Sequence, residues 1–208
     1  MPKNHLITLE MAVMSEAKPF VLGMGLKQTE ERPFRVFENQ KVALIISGIG
    51  KANAAMAAFA AIQKFNPEQI INMGSAGSND EHHPMGQIYQ IDKIIESDRM
   101  DLRSRQPAIH TPDIFSGLES ASLSTMDIPA IDSETRQKIA KNASLSDMEG
   151  AAVAQACHLM GKKCRLFKLV TDTPCHTEET DIVKSIKRLR NALYDYFTDL
   201  VMKRIDAP

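Results

Sequence analysis

Three carboxylates sit where apolar runs give way to helix-forming sequence. Glu16 follows LITLEMAVM, Leu6–Met14. A carboxylate there either suits the positive end of a helix dipole or acts as a general base for water. Asp172 closes CRLFKLVTD and precedes Thr173-Pro174. It reads as an Asx-turn or helix cap, or as an acid whose pKa a dry site would raise. Glu149 lies three residues after Ser146 in SLSDMEGAAVAQACHLM. That is the spacing of a capping box, in which the carboxylate only satisfies a backbone N–H. The same position also lets a side chain reach out of the helix mouth to a ligand.

Two glycine-containing turns accompany them. SGIGKANAA passes from a strand into a helix, and the helix N-terminus there favours an anion or a polar oxygen. It is not a dinucleotide fingerprint, because Asn53 occupies the third glycine position, and Ala52 after Lys51 excludes a P-loop. In NMGSAGS, Gly74 and Gly77 flank Ser75, whose hydroxyl suits ligand oxygens, although a tight turn would use the same small residues. His82-His83 in SNDEHHP have no third ligand placed by spacing, so a surface loop is expected and no metal.

These residues need a scaffold, and strand and helix signals alternate along the chain. Strands are expected at Leu6–Met14, in PFRVFEN and KVALIISG (paired through an Asn39-Gln40 turn), in QIINMG, in GQIYQIDKIIES as a strand pair or one long bent strand, and in SASLSTMDI and CRLFKLVTD. Helices are expected from Ser15 to about Gly23, through GKANAAMAAFAAIQKF up to Pro67, over Asp147–Gly161 with Ser146 as N-cap, and over Glu178–Arg204. The polar segment from Asp98 to Gly117 reads as a loop, and the cations Lys184 to Arg190 as a solvated face. The pattern implies a single α/β domain over residues 1–208, with a central mixed, largely parallel twisted sheet flanked by helices. Ligands of such sheets gather at the carboxyl ends of strands, where Glu16, Ser75 and Asp172 fall.

With 43% hydrophobic residues and a net charge of -1, the chain has enough apolar content for a core and no charge bias toward nucleic acid or anionic membrane. No apolar run reaches the length of a membrane span, and MPKNHLITLEMAVM lacks a signal-peptide cleavage pattern. Cys157, Cys164 and Cys175 are odd in number and match no metal spacing, which points to a reducing cytoplasm.

In order and separation, SGIGKANAA, INMGSAG, DRMDLR and SDMEGAAVAQACH resemble the purine nucleoside phosphorylase superfamily, and within it the methylthioadenosine/adenosylhomocysteine nucleosidases. The likeness runs from about Met11 to Asp172. It implies cleavage of the N-glycosidic bond of an adenosine-type nucleoside by water, in purine salvage, by a cytoplasmic homodimer without cofactor. It also implies roles. Asp172 protonates or hydrogen-bonds N7 of the leaving purine. Glu149 grips the ribose hydroxyls with Met148 against the sugar. Glu16 activates water, with Ser75 beside it and Gly77 in the same turn. Lys168 stands where the nucleosidases carry an arginine, and Ile128, with Pro129 and Ala130, where they carry a base-stacking phenylalanine. Asn72 replaces the arginine of the relevant phosphorylase branch, so a bidentate phosphate clamp is lost and hydrolysis is favoured over phosphorolysis. A phosphorylase and a non-catalytic nucleoside-binding protein on the same fold are the alternatives. The Ala-rich helix over Ala52–Ala61 is the candidate dimer contact.

Overall fold

The computed structural model describes residues 7–176 and 178–205; Leu6, the expected start of the first strand, lies outside them. Among the described residues, ten strands form one mixed sheet. β1 (Ile7–Met11), β4 (Val42–Ile46), β5 (Gln69–Ser78) and β10 (Lys163–Asp172) are buried on both faces over most of their length, as central parallel strands are. β5 lies parallel to β1 and to β10. β2 (Lys27–Glu30) and β3 (Arg35–Glu38) extend the sheet beyond β4 as antiparallel edge strands. On the other side the pairings close on themselves. β10 pairs with β6 (Ile88–Met100), β6 with β8 (Ser120–Thr125), β8 with β9 (Leu145–Asp147), and β9 returns to β5. A closed ring of strands holds its members more rigidly than an open edge does.

Helices cover both faces. α2 (Lys51–Phe65) buries Ala54, Ala57, Ala58 and Ala61, a helical stripe of small residues that lets it pack closely on α4 (Gly150–Leu159). It stops at Asn66, which adopts a left-handed conformation (φ 45°) just before Pro67. α1 (Met14–Gly23) is pinned to the long C-terminal helix α5 (Glu179–Tyr196) by an edge-on contact between Phe20 and Tyr194, with ring centroids 5.4 Å apart. Arg190 of α5 donates to the Ser15 carbonyl at 3.0 Å, so this cation is not part of a solvated face but fixes the turn that carries Glu16. α5 continues through a π-helical turn at Phe197–Val201 into α6 (Met202–Ile205). No helix among the described residues is long and apolar enough to cross a membrane.

Several elements depart from expectation, beginning with β2, since no strand was expected at Lys27–Glu30. The segment from Asp98 is not a loop throughout: β6 runs to Met100 and returns as β7 (Pro107–His110). The turn between them closes on the Asp101 carboxylate, which accepts from Arg103 N, Ser104 N and Ser104 Oγ. β5 does not end at Gly74 but pairs with β10 through Gly77. Ser146 is not an N-cap; it lies inside β9 and pairs with Gly77 and Ser124. Finally, α3 (Ser133–Ala140) was not expected; Asp132 starts it by accepting from Thr135 N at 2.8 Å.

Candidate active site

Glu16, Ser75, Gly77, Met148, Glu149, Lys168 and Asp172 all line one cavity of about 430 Å³. They come from β5, β10, α1 and the β9–α4 junction. Ile128 is the exception: it is 74% exposed and does not line the cavity, whose wall on that side is Pro129, Ala130 and Ile131. The apolar chain of Ile128 faces solvent together with its exposed neighbours Asp127 and Pro129, and the segment becomes half-buried only from Ala130. Ile182, Val183 and Ile186 from the start of α5 complete the apolar wall.

The site is organised along β5. At Ser75, both the backbone N–H and the hydroxyl donate to one oxygen of Glu16, at 2.8 and 2.6 Å. The second Glu16 oxygen is buried without a partner. Two residues on, Gly77 faces Asp172. A Cβ there would stand 2.5 Å from an Asp172 oxygen and 2.8 Å from a nitrogen of Arg136, so only glycine leaves room for both groups. Arg136 forms a buried ion pair with Asp172 and also donates to the Ser78 carbonyl. The other Asp172 oxygen accepts from the Thr171 hydroxyl at 3.0 Å.

Glu149 is held from outside its own helix. Its Oε1 accepts from Gly50 N at 2.9 Å, across the mouth of α2, where a φ of 98° turns the glycine N–H inward. Neighbouring Lys51 N donates to Asp127, so the anion site expected in SGIGKANAA is filled by the chain's own carboxylates. The capping of α4 falls to other residues. Asp147 accepts from Gly150 N at 2.8 Å, Thr125 Oγ1 accepts from Ala151 N at 3.0 Å, and the Thr125 hydroxyl donates to Asp147 at 2.6 Å. Lys168, fully buried, pairs with Asp147 at 2.8 Å.

The electrostatics follow from burial. Desolvation, then the nearby Asp147 charge, push the Glu149 carboxyl up to about 8, against the opposing pull of Lys168 and the Gly50 N–H. Beneath the floor, burial also raises Glu10, whose carboxylate accepts from Asn72. Burial alone would lower Lys168, but Asp147, Glu149 and Glu10 together hold it above its ordinary value. Both cations that line the cavity, Lys168 and Arg136, are thus committed to carboxylates. Among the described residues no group of three histidine, cysteine or acidic side chains is placed to hold a metal ion.

Sequence reasoning missed Arg136 and the capping role of Asp147. The available signal for Arg136 was faint. Asp132 with Thr135 is a helix start, and Arg136 and Ile139 then share the inward face at a spacing of three.

Comparison with known proteins accords with this architecture. The family described as the phosphorylase superfamily matches residues 26–141 and 122–201. The 5′-methylthioadenosine nucleosidase of Arabidopsis thaliana is 29% identical over 199 residues, covering 80% of this chain and 74% of that protein. The 5′-methylthioadenosine/S-adenosylhomocysteine nucleosidase of Staphylococcus haemolyticus is 31% identical over 144 residues, 58% of this chain and 63% of that protein. A solved structure of Arabidopsis thaliana 5′-methylthioadenosine nucleosidase in apo form shares the fold, with a TM-score of 0.85 at 22% identity, covering 100% of this chain and 98% of the other. Most of its length matched and its sheet shared, the chain belongs to the phosphorylase superfamily.

Proposed function

We propose that this protein, acting as one domain over residues 1–208, hydrolyses the N-glycosidic bond of a purine nucleoside. The observation that carries the reading is the state of the charged groups. Glu16 is anchored by neutral donors with one buried oxygen unpartnered, while both lining cations are engaged by carboxylates. A phosphate co-substrate needs a cation to receive it, whereas water needs a base.

Each residue then has a task. Glu16 orients water and takes its proton, and Ser75 holds Glu16 in place. Met148 and Glu149 hold the sugar as it gains positive charge. Lys168 acts through Asp147, fixing the mouth of α4. Asp172 stands at the end that receives the leaving base, where Gly77 makes room. The C1′–N9 bond breaks with its electron pair going to the purine, and the water oxygen bonds to C1′. The proton taken by Glu16 balances the charge when base and sugar leave. A substrate of the methylthioadenosine or adenosylhomocysteine kind is what the relatives' names bring to this chain. Ile128, exposed, has no part in it.

A cytoplasmic setting and a homodimer complete the proposal. Free thiols at Cys157, Cys164 and Cys175 suit a reducing compartment. Met56 and Phe59 on α2 are 61% and 50% exposed, an apolar face for a second copy. Light scattering on wild type and Phe59→Lys tests the dimer; equal masses for the two remove α2 from the contact. The enzymatic reading is tested with purine nucleosides incubated with and without phosphate, identifying the sugar product. Free sugar formed without phosphate is expected. Sugar 1-phosphate, formed only when phosphate is present, establishes phosphorolysis instead.

A further inference from the structure

We infer that Arg136 sets the base preference of the site, favouring a 6-oxopurine over a 6-aminopurine. The inference rests on the nucleoside reading above and narrows its substrate class, away from the adenine that the relatives' names bring. Arg136 is 1% exposed and reaches the cavity from α3, a short helix that otherwise buries only Ile139. Placing a guanidinium there is costly unless it is paired, and Asp172 pairs it. The pairing does not exhaust its donors. A guanidinium has five N–H groups. One goes to Asp172 and one to the Ser78 carbonyl, while Nε is buried with no partner at all.

The chemistry of purine edges decides what such a group accepts. In a 6-oxopurine, N7 and O6 are adjacent acceptors, and a guanidinium fork bonds both at once. In a 6-aminopurine the C6 substituent is itself a donor. It would face N–H against N–H and leave buried donors unsatisfied. An ion-paired carboxylate is an acceptor, so Asp172 bound to Arg136 orients the fork rather than supplying a proton. The wall formed by Pro129, Ala130 and Ile131 carries no aromatic ring, so discrimination falls to the edge contacts. The same contact serves the reaction. As the C1′–N9 bond breaks, the electron pair delocalises onto N7 and O6, and the N–H groups that Arg136 has left over from its ion pair hydrogen-bond the leaving purine until it takes up the proton that water gave to Glu16.

The test measures kcat/KM for a 6-oxo and a 6-amino nucleoside sharing one 5′ group, in wild type, Arg136→Lys and Arg136→Gln. Their ratio does not depend on how much of each variant is folded. We expect wild type to favour the 6-oxo substrate by roughly 5- to 150-fold, the size of one bidentate base contact. Arg136→Lys, which keeps the charge and loses the fork, should reduce that ratio. Arg136→Gln should reverse it, because a carboxamide pairs with N6 and N7 of adenine. A wild-type preference for the 6-amino substrate, or a ratio unchanged in Arg136→Gln, overturns the inference and leaves hydrolysis standing. If wild type releases base from neither, hydrolysis falls. The preference is then read by calorimetric titration with hypoxanthine and adenine, where tighter adenine overturns it and tighter hypoxanthine upholds it.

Discussion

Two carboxylates meet β5 two residues apart, and they are held in opposite ways. Glu16, at Ser75, rests on a backbone amide and a hydroxyl, both neutral. Asp172, at Gly77, rests on a buried guanidinium. Neutral donors place a carboxylate without consuming its charge, so Glu16 stays available to a proton donor such as water. A cation consumes the charge, and the pair becomes a single polar unit whose remaining valence is the free N–H groups of Arg136. One strand thus seats a carboxylate held by neutral donors at one position and an ion-paired carboxylate two residues on, although its sequence there is only Ser-Ala-Gly.

The sharpest way to break this comparison is Glu16→Gln. A carboxamide oxygen still accepts from Ser75, so the fold and melting temperature should stay near wild type. Turnover should fall by about 10²- to 10⁴-fold, the usual worth of a positioned general base. Turnover within a few-fold of wild type, in a nucleoside assay, would take the base role from Glu16. Asp172→Asn should behave differently. It leaves Arg136 buried without its counter-charge, so denaturant unfolding should show a stability loss of about 3–5 kcal/mol along with lost activity. If the two variants lose stability equally, the contrast between neutral and ionic anchoring is wrong.

A smaller effect comes from the glycine between them. Gly77→Ala puts a methyl group where the Asp172 oxygen and an Arg136 nitrogen stand, at 2.5 and 2.8 Å. Overpacking of this kind costs about 1–3 kcal/mol. Because it displaces the ion pair and not Glu16, it should alter base preference more than water activation. Product analysis across bases, with kcat and KM separated, checks this. An unaltered preference would mean that the pair tolerates displacement.

What the sequence disclosed follows the same division. Glu16, Ser75 and Asp172 lie at the ends of strongly patterned strands, which placed them at one edge of the sheet; that Glu149 joins them came from the resemblance of the motifs and not from the pattern of the elements. α2 was equally readable, since its alanine stripe and Asn66-Pro67 stop are local signals. β9 was not, because a three-residue strand has no period of its own and is held by β5 and β8. The capping-box reading of Glu149 arises for the same reason, since Ser146 three residues earlier has the mark of an N-cap and none of a ladder residue. Arg136 was the hardest to see. It sits in the polar stretch SETRQKIA, and its burial depends on a partner 36 residues away. A charged residue on a polar helix carries no mark of facing inward until the tertiary structure supplies its counter-ion.

The gentlest effect is a slope rather than a loss, and it belongs to Glu149. Burial and the Asp147 charge raise its carboxyl to about 8, with Lys168, Glu10 and the Gly50 N–H as the other groups facing it. An unfolded glutamate ionises near its ordinary value of 4.5. Between those two values the folded protein keeps a proton that the unfolded chain has released. Stability should therefore decline as pH rises through that window and level off above it. Glu149→Gln removes the titrating group, so its melting temperature should vary less with pH between 5 and 8. The kinetics should move in the other direction. An ionised carboxylate accepts from both ribose hydroxyls, so wild-type kcat/KM should climb through a midpoint near pH 8 to a plateau above it, a limb reporting the free enzyme. In Glu149→Gln that limb should vanish along with most of the sugar affinity. A limb that persists in the variant belongs to another group, and Glu149 would then be only the carboxylate that closes the mouth of α2.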